Sequence, residues 1–285
     1  MSALTALSAV PAAPLGAPPD EQRPSPDRRI VGDYRVWPAF PSSRLALPRD
    51  VVIWLPPDYD ARPGHRFPVL YMHDGQQVFD PATSTWNQDW RVDDVAQELI
   101  PAGKMESCIV VAPYCTPDRA AEYDPFRLGP DYLAFLVDEL KPRVDAAFRT
   151  DPARNAVAGS SLGGLVSFYI LFARPDLFQA AAAVSPAFLW RFDHWQEKLR
   201  ALSAAGNLPT ARLFLSCGDA GELEQRLLKG TREMEALLRE VRYPGPLLVR
   251  YPPGEEHNEA AWSRLVPEIL PFLFPPPSDA APDSP

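Results

Sequence analysis

Ala156-Val157-Ala158-Gly159-Ser160-Ser161-Leu162-Gly163-Gly164 reads as a small apolar strand that runs through Gly-x-Ser-x-Gly into a helix. Small residues two before and two after a serine let the strand and helix backbones close on each other, which is what a strained turn presenting a hydroxyl requires. Gly159 and Gly163 fill those places, and Ser161 is thereby nominated as a nucleophile. The run from Leu165 to Ala173 is apolar enough for a helix buried against a sheet, and it stops before Arg174-Pro175.

Working outward, short β-branched runs bounded by turn residues recur at Phe67 to Met72, Cys108 to Ala112, Asn155 to Ala158, Ala180 to Val184, Arg212 to Ser216 and Leu247 to Tyr251. Helical patterns lie between and after them: Val92 to Ile100, Tyr132 to Leu140, the run after Ser161, Phe192 to Leu202, Leu223 to Val241 and Trp262 to Phe274. Two earlier segments, Tyr34 to Trp37 and Arg49 to Pro57, predict an antiparallel start. Alternation of this kind implies βαβ units, an α/β fold with a mostly parallel sheet and helices on both faces. Sites in such folds form at the carboxyl ends of the strands.

A chain of 285 residues, 46% of them hydrophobic, can bury a full core. We expect one domain over 30–274, a Pro/Ala-rich disordered tail over 1–29 and a second disordered end over 275–285. A net charge of -9 and a pI near 5.0 argue against a nucleic-acid partner. With no run of about 20 apolar residues and a poor match to a secretory leader, no membrane partner and a cytoplasmic location are expected. Cys108, Cys115 and Cys217 read as reduced thiols, two of them in strands. No metal motif and no nucleotide loop is present, so no cofactor is expected.

A serine hydroxyl needs a base, a group that orients the base, and N–H donors for the oxyanion. In the α/β-hydrolase order the acid and then the histidine follow the serine. Of four histidines, only His194 and His257 come after Ser161. His257 occupies the loop leaving the last predicted strand and is the expected base, whereas His194 sits at a helix start. The acid belongs after the strand Arg212 to Ser216, where Asp219, Glu222 and Glu224 compete and spacing does not separate them. Asp219 could equally be a turn or cap residue, and Glu222 simply the first turn of the next helix. The oxyanion donors expected are the N–H of Leu162 and that of Gly75 or Gln76, in the loop His73-Asp74-Gly75-Gln76.

Val69 to Gln76, Arg119 with Glu122-Tyr123, Gly159 to Gly164, and Gly254 to Asn258 with Trp262 together resemble an esterase family of α/β-hydrolases. That family contains enterochelin-esterase-like proteins, feruloyl and acetyl-xylan esterases, S-formylglutathione hydrolase and the mycolyltransferases. The resemblance spans about Val31 to Phe274 and implies an α/β-hydrolase fold with Ser161 as nucleophile and His257 as base. It also implies an acid three or four residues after the glycine closing the seventh strand, which favours Glu222 over Asp219, and Gln76 as the second oxyanion donor.

Only about two dozen residues separate the Pro186 loop from Arg212, too few for a lid domain, so an open cleft is expected. Its walls would come from the loops 77–90, 114–129 and 185–190, which supply Phe79, Trp86, Trp90, Tyr123, Phe126, Phe188 and Trp190. Two or three such aromatics would meet substrate. Arg119 could pair with a substrate anion, or with Glu122 or Asp124. The function expected is hydrolysis of a small-molecule carboxylic ester through an acyl-enzyme. An acyltransferase with the same triad and a non-catalytic binding protein are the alternatives; oligomeric state is not readable.

Overall fold

The computed structural model describes residues 28–277. An antiparallel pair, β1 (Asp33–Phe40) and β2 (Arg49–Leu55), leads into a parallel series made of β3 (Phe67–Met72), β4 (Ile109–Pro113), β5 (Thr150–Ser160), β6 (Phe178–Val184), β7 (Arg212–Ser216) and β8 (Leu247–Arg250). They form one sheet in the order β1-β2-β4-β3-β5-β6-β7-β8, with β2 antiparallel to β4 and every later pairing parallel. Within β3, Val69 and Tyr71 enter one apolar layer, Leu70 and Met72 the other. Burial on both faces is why these strands are continuously apolar rather than alternating.

The helices are α1 (Val92–Leu99), α2 (Arg119–Glu122), α3 (Gly129–Ala134), α4 (Lys141–Ala147), α5 (Leu162–Ala173), α6 (Phe192–Ala204), α7 (Glu222–Glu240), α8 (Glu259–Ser263) and α9 (Val266–Leu273). A π-helical stretch, Phe135–Leu140, joins α3 to α4. The single helix expected over Trp262 to Phe274 is two, because Pro267 has no N–H to continue the ladder and instead starts a new helix in its first turn. The short α2 was not legible as a helix. It is held by a buried bidentate pair, Arg49 donating to both oxygens of Glu122 at 2.8 and 2.9 Å.

Cys108 and Cys217 lie one residue outside β4 and β7 rather than within strands, and both are buried free thiols. The expected tails fall at 1–27 and 278–285 outside the described residues. Arg28, however, already donates to the Tyr114 hydroxyl at 3.2 Å. Among the described residues no helix is long and apolar enough to cross a membrane.

The N-terminal segment is fastened to α1 by Asp93, which accepts the Val31 N–H at 2.6 Å. Burial outweighs that bond and pushes the Asp93 carboxyl from 3.8 up to about 7. The folded chain therefore holds a proton that the unfolded chain releases, and stability falls as pH rises through that interval. Asp93→Asn is expected to melt increasingly above wild type between about pH 4 and pH 8. A difference in Tm that stays constant over this range would contradict the assignment.

Candidate active site

Ser161 follows β5 directly and adopts φ 58°, ψ −120°, a left-handed conformation costly for a side chain bearing Cβ. Its N–H donates to the Val184 carbonyl of β6 at 2.9 Å, and its carbonyl accepts the first helical bond from Leu165 at 3.0 Å. The turn closes only because its flanks are glycine. A Cβ on Gly159 would stand 2.8 Å from the Gly163 carbonyl, and one on Gly163 would stand 3.0 Å from Asp74 Oδ2. The hydroxyl-bearing residue is thus pressed between two strands and the turn that follows β3.

His257 lies in the turn between β8 and α8, whose start is capped by Asn258 accepting the Ala261 N–H at 2.9 Å. Its Nδ1 is 2.7 Å from Glu224 Oε2. The other carboxylate oxygen accepts from Gly218 N–H at 2.8 Å and from the Ser185 hydroxyl. Ser185 in turn accepts the Trp262 indole N–H at 3.1 Å, and the Trp262 ring stands edge-on to His257 at 5.0 Å. Burial pushes the Glu224 carboxyl up, but the hydrogen bonds from His257, Ser185 and Gly218 outweigh it and hold it below the usual range. An ionised carboxylate only accepts, so the ring nitrogen that faces it, Nδ1, carries a proton.

The carboxylate on His257 is therefore neither Glu222 nor Asp219. Glu222 opens α7 and is exposed. Two residues are about 200° around a helix, so Glu222 and Glu224 face nearly opposite ways. Asp219 has a structural bond instead: its Oδ1 accepts the Gly254 N–H at 2.6 Å and ties the loop after β7 to the histidine loop. His194 lies apart on α6, its ring 4.9 Å from Phe126, at a cavity of about 330 Å³. His73 is fully buried against the Tyr132 hydroxyl at 2.9 Å, and burial lowers its pKa to about 4.

The expected oxyanion donors lie at the ends of adjacent strands. Leu162 begins α5, and Gly75 and Gln76 begin a 3₁₀ turn, Gly75–Gln77, whose first internal bond runs from Gln77 N–H to the Asp74 carbonyl at 2.9 Å. Among the described residues the Leu162, Gly75 and Gln76 amides have no acceptor, as expected for the first N–H groups of a helical turn. Asp74 holds this turn in a left-handed conformation at φ 58° and accepts from Arg119 Nε and Nη2 at 2.6 and 2.8 Å. Arg119 therefore pairs with Asp74 rather than with Glu122 or Asp124, and its side chain remains 28% exposed.

The proposed wall divides sharply. Trp86 is 69% exposed and Trp190 50%, on loops following β3 and β6. Trp90 and Tyr123 are corrected to supports. The first stacks on Trp262 at 5.5 Å, the second packs on Tyr132 at 4.9 Å, and both are buried with no face for a ligand. Ser185 was not foreseen, and no local pattern marks it.

A mostly parallel eight-stranded sheet with a strained serine after β5, a buried carboxylate after β7 and a histidine after β8 defines an ester hydrolase of the α/β-hydrolase fold. The family described as "Putative esterase" matches residues 42–273, and this chain belongs to it. It is 23% identical over 247 residues to the uncharacterized protein YbbA of Bacillus subtilis, covering 82% of this chain and 95% of that one. It is 30% identical over 110 residues to the ferri-bacillibactin esterase BesA of the same organism, covering 34% of this chain and 38% of that one. An IroE-like serine hydrolase from Shewanella oneidensis superposes with a TM-score of 0.70 at 22% identity, over 85% of this chain and 80% of that chain.

Proposed function

We propose that the protein is a serine carboxylesterase that works through an acyl-enzyme. Ser161 Oγ adds to the ester carbonyl while His257 Nε2 takes its proton, and Glu224 steadies the imidazolium that results. The oxyanion is received by the Leu162 and Gln76 amides. Collapse expels the alcohol, protonated by His257, and leaves an acyl group on Ser161. Water deprotonated by the same nitrogen then releases the acid. The observation that carries this reading is the 2.7 Å bond from His257 to a carboxylate buried after β7.

Exposed apolar side chains on the loops at this edge of the sheet, and at the start of α7, support a bulky, partly apolar or aryl ester. Trp86, Phe126, Leu128, Leu189, Trp190 and Leu223 all stand open to solvent. They lie after β3, β4, β6 and β7, whose carboxyl ends surround the serine. Ferri-bacillibactin, the ester for which the relative BesA is named, is the first natural candidate.

The test is hydrolysis of p-nitrophenyl esters of increasing acyl and aryl size, with fluorophosphonate labelling mapped by peptide mass. Turnover together with a label on Ser161 is the expected result. A chain that neither turns over nor takes the label would end the esterase reading. Turnover that rises with an added alcohol acceptor would convert it to acyl transfer.

A further inference from the structure

The residue expected to receive the oxyanion is held from two directions that the triad does not explain. The Gln76 side chain folds back onto Cys115, its Oε1 accepting the Cys115 N–H at 3.1 Å and its Nε2 donating to Cys115 Sγ at 2.8 Å. On the main-chain side, the Thr83 hydroxyl donates to the Gln76 carbonyl at 2.6 Å. Gly75, immediately before, is packed so closely on the backbone of Ala112 and Pro113 that no side chain fits there. Side chain, carbonyl and preceding residue are thus fixed about one Cα. The free bond vector left at that Cα is the Gln76 N–H, which has no acceptor among the described residues.

A donor aimed before the reaction begins stabilises developing charge without paying for reorientation during the step. A glutamine side chain spent on a half-buried cysteine is a costly placement in rotamer entropy unless the orientation matters. The Thr83 hydroxyl shares its one proton between the Gln76 carbonyl at 2.6 Å and the Asp80 carbonyl at 3.0 Å, which ties the clamp to the turn that starts at Asp80. The partner is a neutral thiol, since burial and the nearby Asp74 push Cys115 up to about 12. Its sulfur is an acceptor here and not a reactive thiolate.

We propose that Cys115 and Thr83 are positioning residues of the oxyanion site, which clamp Gln76 so that its backbone N–H points at the oxygen made negative when Ser161 adds. This inference rests on the serine-esterase reading. The clamp acts on the position of the oxyanion rather than that of the bound ester, so its loss falls on kcat and leaves KM nearly unchanged.

The experiment compares wild type with Gln76→Leu, Cys115→Ala, Cys115→Ser, Thr83→Val and Thr83→Ser, reading kcat, KM, Tm and inhibition by an aryl boronic acid. Gln76→Leu keeps the amide and removes the side-chain clamp. It is expected to lower kcat by about 10²-fold, close to losing one oxyanion donor, with KM within about threefold. Cys115→Ala and Thr83→Val should each lower kcat by about tenfold, and the two serine variants should recover most of it. The boronic acid, which makes a tetrahedral adduct, should weaken in proportion to kcat across the set. Variants that keep the wild-type kcat and boronate affinity overturn the clamp while leaving the esterase intact. Losses that track Tm, with no recovery in the serine variants, also overturn it. A wild type inert to both esters and boronate overturns the esterase reading and the clamp with it.

Discussion

Exchange of Glu224 for glutamine is expected to lower kcat by about 10⁴-fold with little change in KM. The carboxylate now accepts from three donors: His257 Nδ1–H, the Ser185 hydroxyl and the Gly218 amide. A carboxamide has one oxygen, so it cannot accept from both sides. If its oxygen stays with Ser185 and Gly218, its NH₂ faces Nδ1 and the imidazole must take the other tautomer. The proton then sits on Nε2, which could not take one from Ser161. Glu222→Gln is expected to leave kcat unchanged, because that side chain is exposed on the opposite side of α7. Asp219→Asn keeps an oxygen for the Gly254 N–H and should cost less than about tenfold in kcat. Steady-state kinetics on the three purified variants decides the matter; a large loss in Glu222→Gln with Glu224→Gln intact would reverse the assignment.

Removing the nucleophile should cost more, about 10⁶-fold in kcat for Ser161→Ala, and the backbone there makes a second replacement informative. Ser161 occupies φ 58° with a Cβ, a conformation that stores roughly 1–3 kcal/mol. Alanine retains the Cβ and keeps that strain, whereas glycine relieves it at the expense of some chain entropy. Ser161→Gly is therefore expected to be as inactive as Ser161→Ala but to melt several degrees higher. Equal melting temperatures, or a lower one for glycine, would show that the turn is unstrained. Residual turnover near wild type in either variant would remove Ser161 from the chemistry.

The parts of the site that could be read along the chain are those whose chemistry is local. Gly159 and Gly163 are two residues from Ser161, and their reason for being glycine is a backbone approach within the same turn. His257 could be named because few histidines follow the serine and the last strand precedes this one. The fold was legible for a similar reason: a strand buried on both faces shows as an unbroken apolar run, as β3 and β4 do, while β5 shows one only in its second half, from Ala156. The aromatic wall was not legible, since Trp86 and Trp90 differ in nothing local, yet one stands in solvent and the other is stacked on Trp262.

The amino-acid sequence by itself determined the alternation of strands and helices, the serine turn, the histidine loop and the Asp74-Gly75-Gln76 turn, because each follows from neighbours within a few positions. Only the tertiary structure decided which carboxylate meets His257, what Arg119 holds, and which aromatics face outward. Arg119 and Asp74 are 45 residues apart and meet because β3 and β4 pair. For the acid the deciding quantity is the phase of α7. Glu224 begins the buried stripe that continues through Leu227, Leu228 and Thr231, at spacings of three, four and seven. A helix starting one residue earlier or later would turn a different side chain inward, and that phase is set by how the stripe packs on the sheet.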